Sequence, residues 1–152
     1  ERTLGPNHPD TLRSRNNLAS AYQNAGRLEQ AIPLYERNLA DRERTLGPNH
    51  PDTLRSRNNL ASAYQNAGRL DEAIDLFEQN LTESLRILGP NHPDTLTSRN
   101  NLASAYQNAD RLEQAIDLFE QNLTDSEHVL GPNHPWTTLF RNNLARAREA
   151  RN

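Results

Sequence analysis

Four histidines stand at a fixed interval. His8, His50, His92 and His134 lie 42 residues apart, each inside the string Leu-Gly-Pro-Asn-His-Pro. Imidazoles repeated in this way could ligate a metal, or act as bases for hydroxyls such as Ser14 and Ser20. The spacing argues against either. If the copies fold alike, the histidines occupy the same turn of successive units, about 10 Å or more apart by helix packing distances. Ligands of one ion must converge to ~2–2.6 Å from it. A turn-forming role fits these histidines better. The chain has no cysteine, and its carboxylates are scattered. No catalytic residue, metal or cofactor is expected, and the protein does not read as an enzyme.

A second repeating set has more to offer. Arg13, Asn17, Ser20 and Asn24 recur as Arg55, Asn59, Ser62 and Asn66, then as Thr97, Asn101, Ser104 and Asn108, and partly as Leu139, Asn143 and Arg146. A primary amide carries both donors and acceptors, so a ladder of Asn can pair with the backbone of an extended peptide. Arg13 and Arg55 can each receive a carboxylate bidentately. The neighbouring row, Asn16 and its repeats, is expected instead to bridge adjacent helices. Replacing Asn59 and Asn101 together by Ala is expected to weaken partner binding and leave helix content intact.

The elements that carry these rows follow from the repeat. Residues 1–42 and 43–84 are identical at 34 of 42 positions, and the same pattern continues through 85–126. Self-similarity at such a period signals stacked units, each burying its apolar side only against its neighbours. Apolar residues make up only 34% of the chain, against a usual ~45–50%, but they are gathered into stripes. The first stripe spans about Pro9 to Ala25. Asn7 or His8 caps its start, Pro9 and Asp10 suit the first turn, and Gly26 ends it. Leu18, Ala21, Tyr22 and Ala25 fall on one side, with Arg13, Asn16, Asn17, Ser20 and Asn24 opposite. The second stripe spans about Leu28 to Thr45, with Leu28, Ala31, Ile32, Tyr35 and Leu39 at helical spacing and Gly47-Pro48 as its stop. Pro33 is expected near the first turn of this helix, at little cost. No segment alternates with the two-residue period of a strand.

Asn16-Asn17-Leu18-Ala19-x-x-Tyr22, Gly26-Arg27-x-x-x-Ala31 and Leu46-Gly47-Pro48-Asn49-His50-Pro51 together resemble the tetratricopeptide repeat. They resemble most the 42-residue form found in kinesin light chain and in many bacterial repeat proteins. The resemblance covers the whole chain. It implies an all-α fold, an α-solenoid wound as a right-handed superhelix. Three helix-turn-helix repeats (1–42, 43–84 and 85–126) would be followed by a half repeat, 127–152, that serves as a C-terminal cap. First helices would line a concave groove that binds an extended peptide with acidic flanks. Two positions depart from the family. Arg15, Arg57, Arg99 and Arg141 stand where a bulky apolar residue is usual, and Asn38, Asn80 and Asn122 where a small Ala is usual. An unpartnered buried Arg is costly. These arginines are therefore expected along a seam, capped by Asn or acidic side chains of an adjacent helix.

The remaining expectations concern context. All 17 basic residues are Arg and the net charge is −3, so no basic stripe for nucleic acid is present. No run approaches the ~20 apolar residues of a membrane span, and no signal peptide is visible. The expected compartment is the cytoplasm. The chain opens inside a repeat and without Met, which points to an excerpt of a longer protein. Its first helix keeps Leu18 and Tyr22 with no preceding partner, so self-association through that open N-terminal repeat, end to end or as a dimer, is expected. In the last helix Arg146 and Arg148 replace Ser and Tyr and give a polar outer side. The rival to a peptide-binding scaffold is a structural or sensor array within a larger bacterial signalling protein, with no peptide ligand of its own.

Overall fold

The computed structural model describes residues 8–152; the first Leu-Gly-Pro-Asn string and the capping role considered for Asn7 lie outside them. Among the described residues there are seven α-helices and no strand: α1 (Pro9–Asn24), α2 (Leu28–Leu46), α3 (Pro51–Asn66), α4 (Leu70–Leu88), α5 (Pro93–Asn108), α6 (Leu112–Val129) and α7 (Pro135–Arg151). The chain divides into two compact units, residues 1–76 and 77–152. In the first, α2 packs against both α1 and α3; in the second, α6 packs against both α5 and α7. The all-α fold of consecutive packed helices is the one expected. No helix among the described residues is long and apolar enough to cross a membrane.

Each odd-numbered helix begins in the same way. The His8, His50, His92 and His134 Nδ1 atoms accept the backbone N–H two residues on at 3.0–3.1 Å, and a proline follows directly. This satisfies one of the helix's free donors, and it is the turn role assigned to these histidines. Gly26 and Gly68 close α1 and α3 with φ of 76° and 79°; Asp110 takes that left-handed place after α5 at φ 63°, where Asp is among the few non-glycine residues tolerated.

One feature differs from the sequence reading. Pro33 is the sixth residue of α2, in its second turn rather than its first. Burial differs between two copies of the first helix. α1 and α3 have the same 16-residue sequence, yet Leu18 is 47% exposed and Leu60 only 4%. In α3 the apolar side is covered by α2. In α1 the matching side, on which self-association is expected, is open.

Candidate functional site

The sequence places its candidate residues on α1, α3, α5 and α7. In the first unit Arg13 and Arg55 are well exposed. Among the described residues their Nη1 atoms reach only the Asp10 and Asp52 carboxylates one turn earlier, at 3.2 and 3.1 Å. Exposed pairs of this kind contribute ~0–1 kcal/mol, so the guanidiniums stay available to a stronger acceptor. Asn17, Asn24 and Asn66 are exposed, whereas Ser20, Asn59 and Ser62 are half-buried. Ser20 Oγ shares a 3.0 Å hydrogen bond with the Tyr35 hydroxyl, which donates to Gln23 Oε1 at 2.9 Å. In the second unit Asn108 is exposed, Asn101 and Ser104 are half-buried, and Asn143 is buried.

The two asparagine rows meet. Asn59 Nδ2 donates to Asn16 Oδ1 at 2.9 Å, and Asn143 Nδ2 donates to Asn100 Oδ1 at 2.9 Å. Asn143 also accepts from Arg146. Within each unit, first helices run side by side, so that a residue meets the one 43 places later. The bridging expected of the Asn16 row therefore uses the Asn17 row as its partner. An Asn59→Ala change removes a bond between helices as well as a groove amide.

The anomalous arginines form the seam. Arg15 Nη1 donates to Asn38 Oδ1 at 3.1 Å and Asp41 Oδ2 at 2.7 Å; Arg99 Nη1 donates to Asn122 Oδ1 at 3.1 Å and Asp125 Oδ2 at 2.9 Å. The same asparagines turn their Nδ2 atoms to the Leu12 and Leu96 carbonyls, each at 2.8 Å. Arg57 reaches Glu43 and the Pro48 carbonyl, both at 3.3 Å. Arg141, on α7, is more exposed and reaches the Pro132 carbonyl at 3.3 Å. Burial alone would raise the Asp41 carboxyl, but hydrogen bonds from Arg15 and Arg44 outweigh it and hold the group below its ordinary range. The acid three residues after the seam Asn recurs as Asp41, Glu83 and Asp125. That recurrence was readable, but an acid late in a second helix looks like ordinary surface charge.

A second missed set joins each second helix to the next first helix. The Tyr64 hydroxyl donates to Glu36 Oε2 at 2.6 Å, the Tyr106 hydroxyl donates to Glu78, and Arg148 takes the Tyr place on α7 to meet Glu120 at 2.7 Å. Arg69 and Arg111 lie 4.4 and 4.6 Å above the two rings. Burial first, and then the bond to the carboxylate, push both phenols up to about 12. A raised folded pKa means that this stabilisation is complete below the unfolded value of ~10 and is lost as pH climbs through about 12. Stability against urea should accordingly decline between those two values. A variant with Tyr64→Phe and Tyr106→Phe should lack that part of the decline; an identical decline would remove the phenols as its cause.

Between α1 and α3, over the C-terminal end of α2, lies an open cleft of ≈ 370 Å³. Arg13, Arg42 and Arg55 line it, with Leu12, Leu46 and His50. Its chemistry suits an anion beside a short aliphatic segment. Among the described residues there is no group of three or more side chains placed to hold a metal ion.

The geometry has counterparts in known proteins. The tetratricopeptide-repeat family matches residues 10–82, 56–124 and 99–152. The crystal structure of the nearly identical TPR-like repeats assigned to a kinesin light chain of Podosopora anserina is 37% identical, with a TM-score of 0.86 over 98% of this chain and 71% of that one. BtubC (BKLC) from P. vanneervenii shares the fold at 20% identity, with a TM-score of 0.84 over 99% of this chain and 59% of its own. So does the first TPR of Spaghetti (RPAP3), solved with the HSP90 peptide SRMEEVD, at 17% identity and a TM-score of 0.65 over 94% of each chain. No curated protein sequence matches significantly. Helix pairs, histidine-capped turns and these matches agree: the chain belongs to the tetratricopeptide-repeat family, and its repeats are similar to those assigned to kinesin light chain.

Proposed function

We propose that this chain is an interaction scaffold whose first-helix surface takes an extended peptide of acidic character. Tetratricopeptide repeats commonly serve protein–protein interaction. The observation that carries the finer reading is the pair Arg13 and Arg55. Both are exposed, both lie on neighbouring first helices, and both line the same cleft beside Asn16. Each holds only a surface carboxylate of its own helix, which a ligand carboxylate in bidentate geometry can displace. The peptide bound by the Spaghetti repeat, SRMEEVD, is itself rich in acids. Exposed amides at Asn17, Asn24 and Asn66 would meet the peptide backbone. With few aromatic anchors on this surface, affinity is expected on the order of micromolar.

Charge reversal tests the reading more cleanly than changes in the asparagine rows, because among the described residues Arg13 and Arg55 pair only with carboxylates of their own helices. Arg13→Glu with Arg55→Glu is expected to weaken binding of an acidic peptide by about a hundredfold, roughly tenfold for each lost charge-assisted contact. The circular dichroism spectrum should not change. Unaltered affinity in fluorescence anisotropy would remove the groove from consideration.

A further inference from the structure

The repeats are close to identical, but the arginine lining of the cleft between α1 and α3 is not repeated in the second unit. Position 42 holds Arg, while the corresponding positions in the later copies hold Ser84 and Ser126. Ser126 faces Thr137, with their hydroxyls 2.7 Å apart, and the second unit carries Thr97 and Leu139 where the first carries Arg13 and Arg55. Three guanidinium positions in one unit thus correspond to three uncharged side chains in the other.

Arg42 is also poorly satisfied. It is half-buried at the end of α2. Its Nη1 donates to the Asp52 carbonyl at 3.1 Å and to Ser56 Oγ at 2.8 Å, both neutral oxygens. Its buried Nε has no acceptor, and among the described residues Arg42 has no ion pair. The Asp52 and Ser56 contacts aim the side chain without neutralising it. Arg13 and Arg55 line the same cleft, so three like charges face a single lining carboxylate, Asp52. Withdrawal from water also weakens the hold of Arg42 on its proton. A cation partly withdrawn from water, with Asp52 as its one lining carboxylate, is incompletely compensated in the free protein. A bound anion would relieve that cost, and it would find an apolar wall in Leu12 and Leu46.

We infer that Arg42, with Arg13 and Arg55, forms a carboxylate-binding subsite that anchors an acidic side chain of the docked peptide. This first cleft, rather than its counterpart in the second unit, then sets where the peptide seats. The inference rests on the peptide-docking reading above and adds to it a specificity residue that belongs to a second helix.

Arg42→Ser is a mild test, because two copies of the repeat already carry Ser there. The probes are a fluorescein-labelled peptide of alternating Glu and Leu, and its counterpart with Gln in place of Glu. The unaltered chain should bind the Glu peptide at least about tenfold more tightly than the Gln peptide, and Arg42→Ser should remove that preference. Without peptide, Arg42→Ser should melt at a higher temperature than the unaltered chain, which a purely structural arginine would not do. If Arg42→Ser binds as the unaltered chain does while Arg13→Glu with Arg55→Glu does not, the subsite is overturned and the groove stands. If neither peptide binds, the groove reading fails. Melting in malonate against sodium chloride of equal ionic strength then decides the subsite. Protection by malonate that Arg42→Ser abolishes sustains the carboxylate subsite itself, and equal protection of both proteins overturns it.

Discussion

Asn122→Ala is expected to destabilise the second unit by about 2–4 kcal/mol, an effect larger than the size of the side chain suggests. Asn122 is fully buried. Its Oδ1 accepts from Arg99, itself only 1% exposed, while its Nδ2 donates to the Leu96 carbonyl. Truncation removes both bonds and leaves the guanidinium with one acceptor fewer in a place water does not reach. A hydrogen bond to a buried charge is worth ~1.5–3 kcal/mol, and the bond to the Leu96 carbonyl, which keeps its own helical partner within α5, adds ~0.5–1.5 kcal/mol. Asn38→Ala should cost less, because the Arg15 side chain is 9% exposed against 2% for Arg99, while each keeps its carboxylate partner. Urea unfolding of the two variants gives the comparison. A loss below about 1 kcal/mol for Asn122→Ala would mean that the buried chain of donors does not hold α5 to α6.

The same site allows a sharper test. The family usually has a bulky apolar residue where Arg99 stands and a small one where Asn122 stands. Arg99→Leu combined with Asn122→Ala restores that pairing. Replacing a buried polar set by apolar groups of similar volume is often neutral or stabilising. The double variant should therefore be more stable than Asn122→Ala alone. Asp125, already 25% exposed, can turn to solvent when its partner is gone. The two departures from the family pattern are then one feature, a polar substitute for an apolar contact between helices.

That pairing shows how far the sequence could be read. Helices were legible because Pro, Gly and His recur at fixed places around each apolar stripe, and backbone sterics act locally. The seam was legible in kind, since a buried Arg needs a partner. Which partner was not, because Asp41 and Asp125 become acceptors only once α1 packs on α2 and α5 on α6. Leu18 and Leu60 share identical local sequence and differ tenfold in exposure; no window around either residue holds that difference, which belongs to the helix packed alongside. Asn59 was read as a groove residue from its helical face, but its bond to Asn16 depends on the spacing of neighbouring first helices. Arg42 escaped notice for the opposite reason. Attention to what the copies share passes over the position where one copy differs.

Pro33 is such a position too, and changing it to Asp is expected to stabilise the first unit by about 2 kcal/mol. As the sixth residue of α2 it lies beyond the helix's free N–H groups. Its missing donor therefore leaves the Glu29 carbonyl without its partner one turn on, and its ring crowds that same turn. An interior proline costs ~3 kcal/mol relative to an ordinary helix residue. Against this, proline restricts the unfolded chain, a benefit of ~0.4–1 kcal/mol that the change gives up. Repulsion from Glu29 and attraction to Arg37, each four residues away, roughly cancel at a few tenths of a kcal/mol apiece. Asp75 and Asp117 occupy the same place in α4 and α6, so the new side chain suits this helix type. Pro33 is exposed, and no buried contact is lost. Amide exchange should show a newly protected N–H at position 33 and slower exchange in the first two turns of α2. Unchanged exchange and an unchanged urea midpoint would mean that α2 accommodates the ring without strain, and that the first repeat is no weaker than its copies.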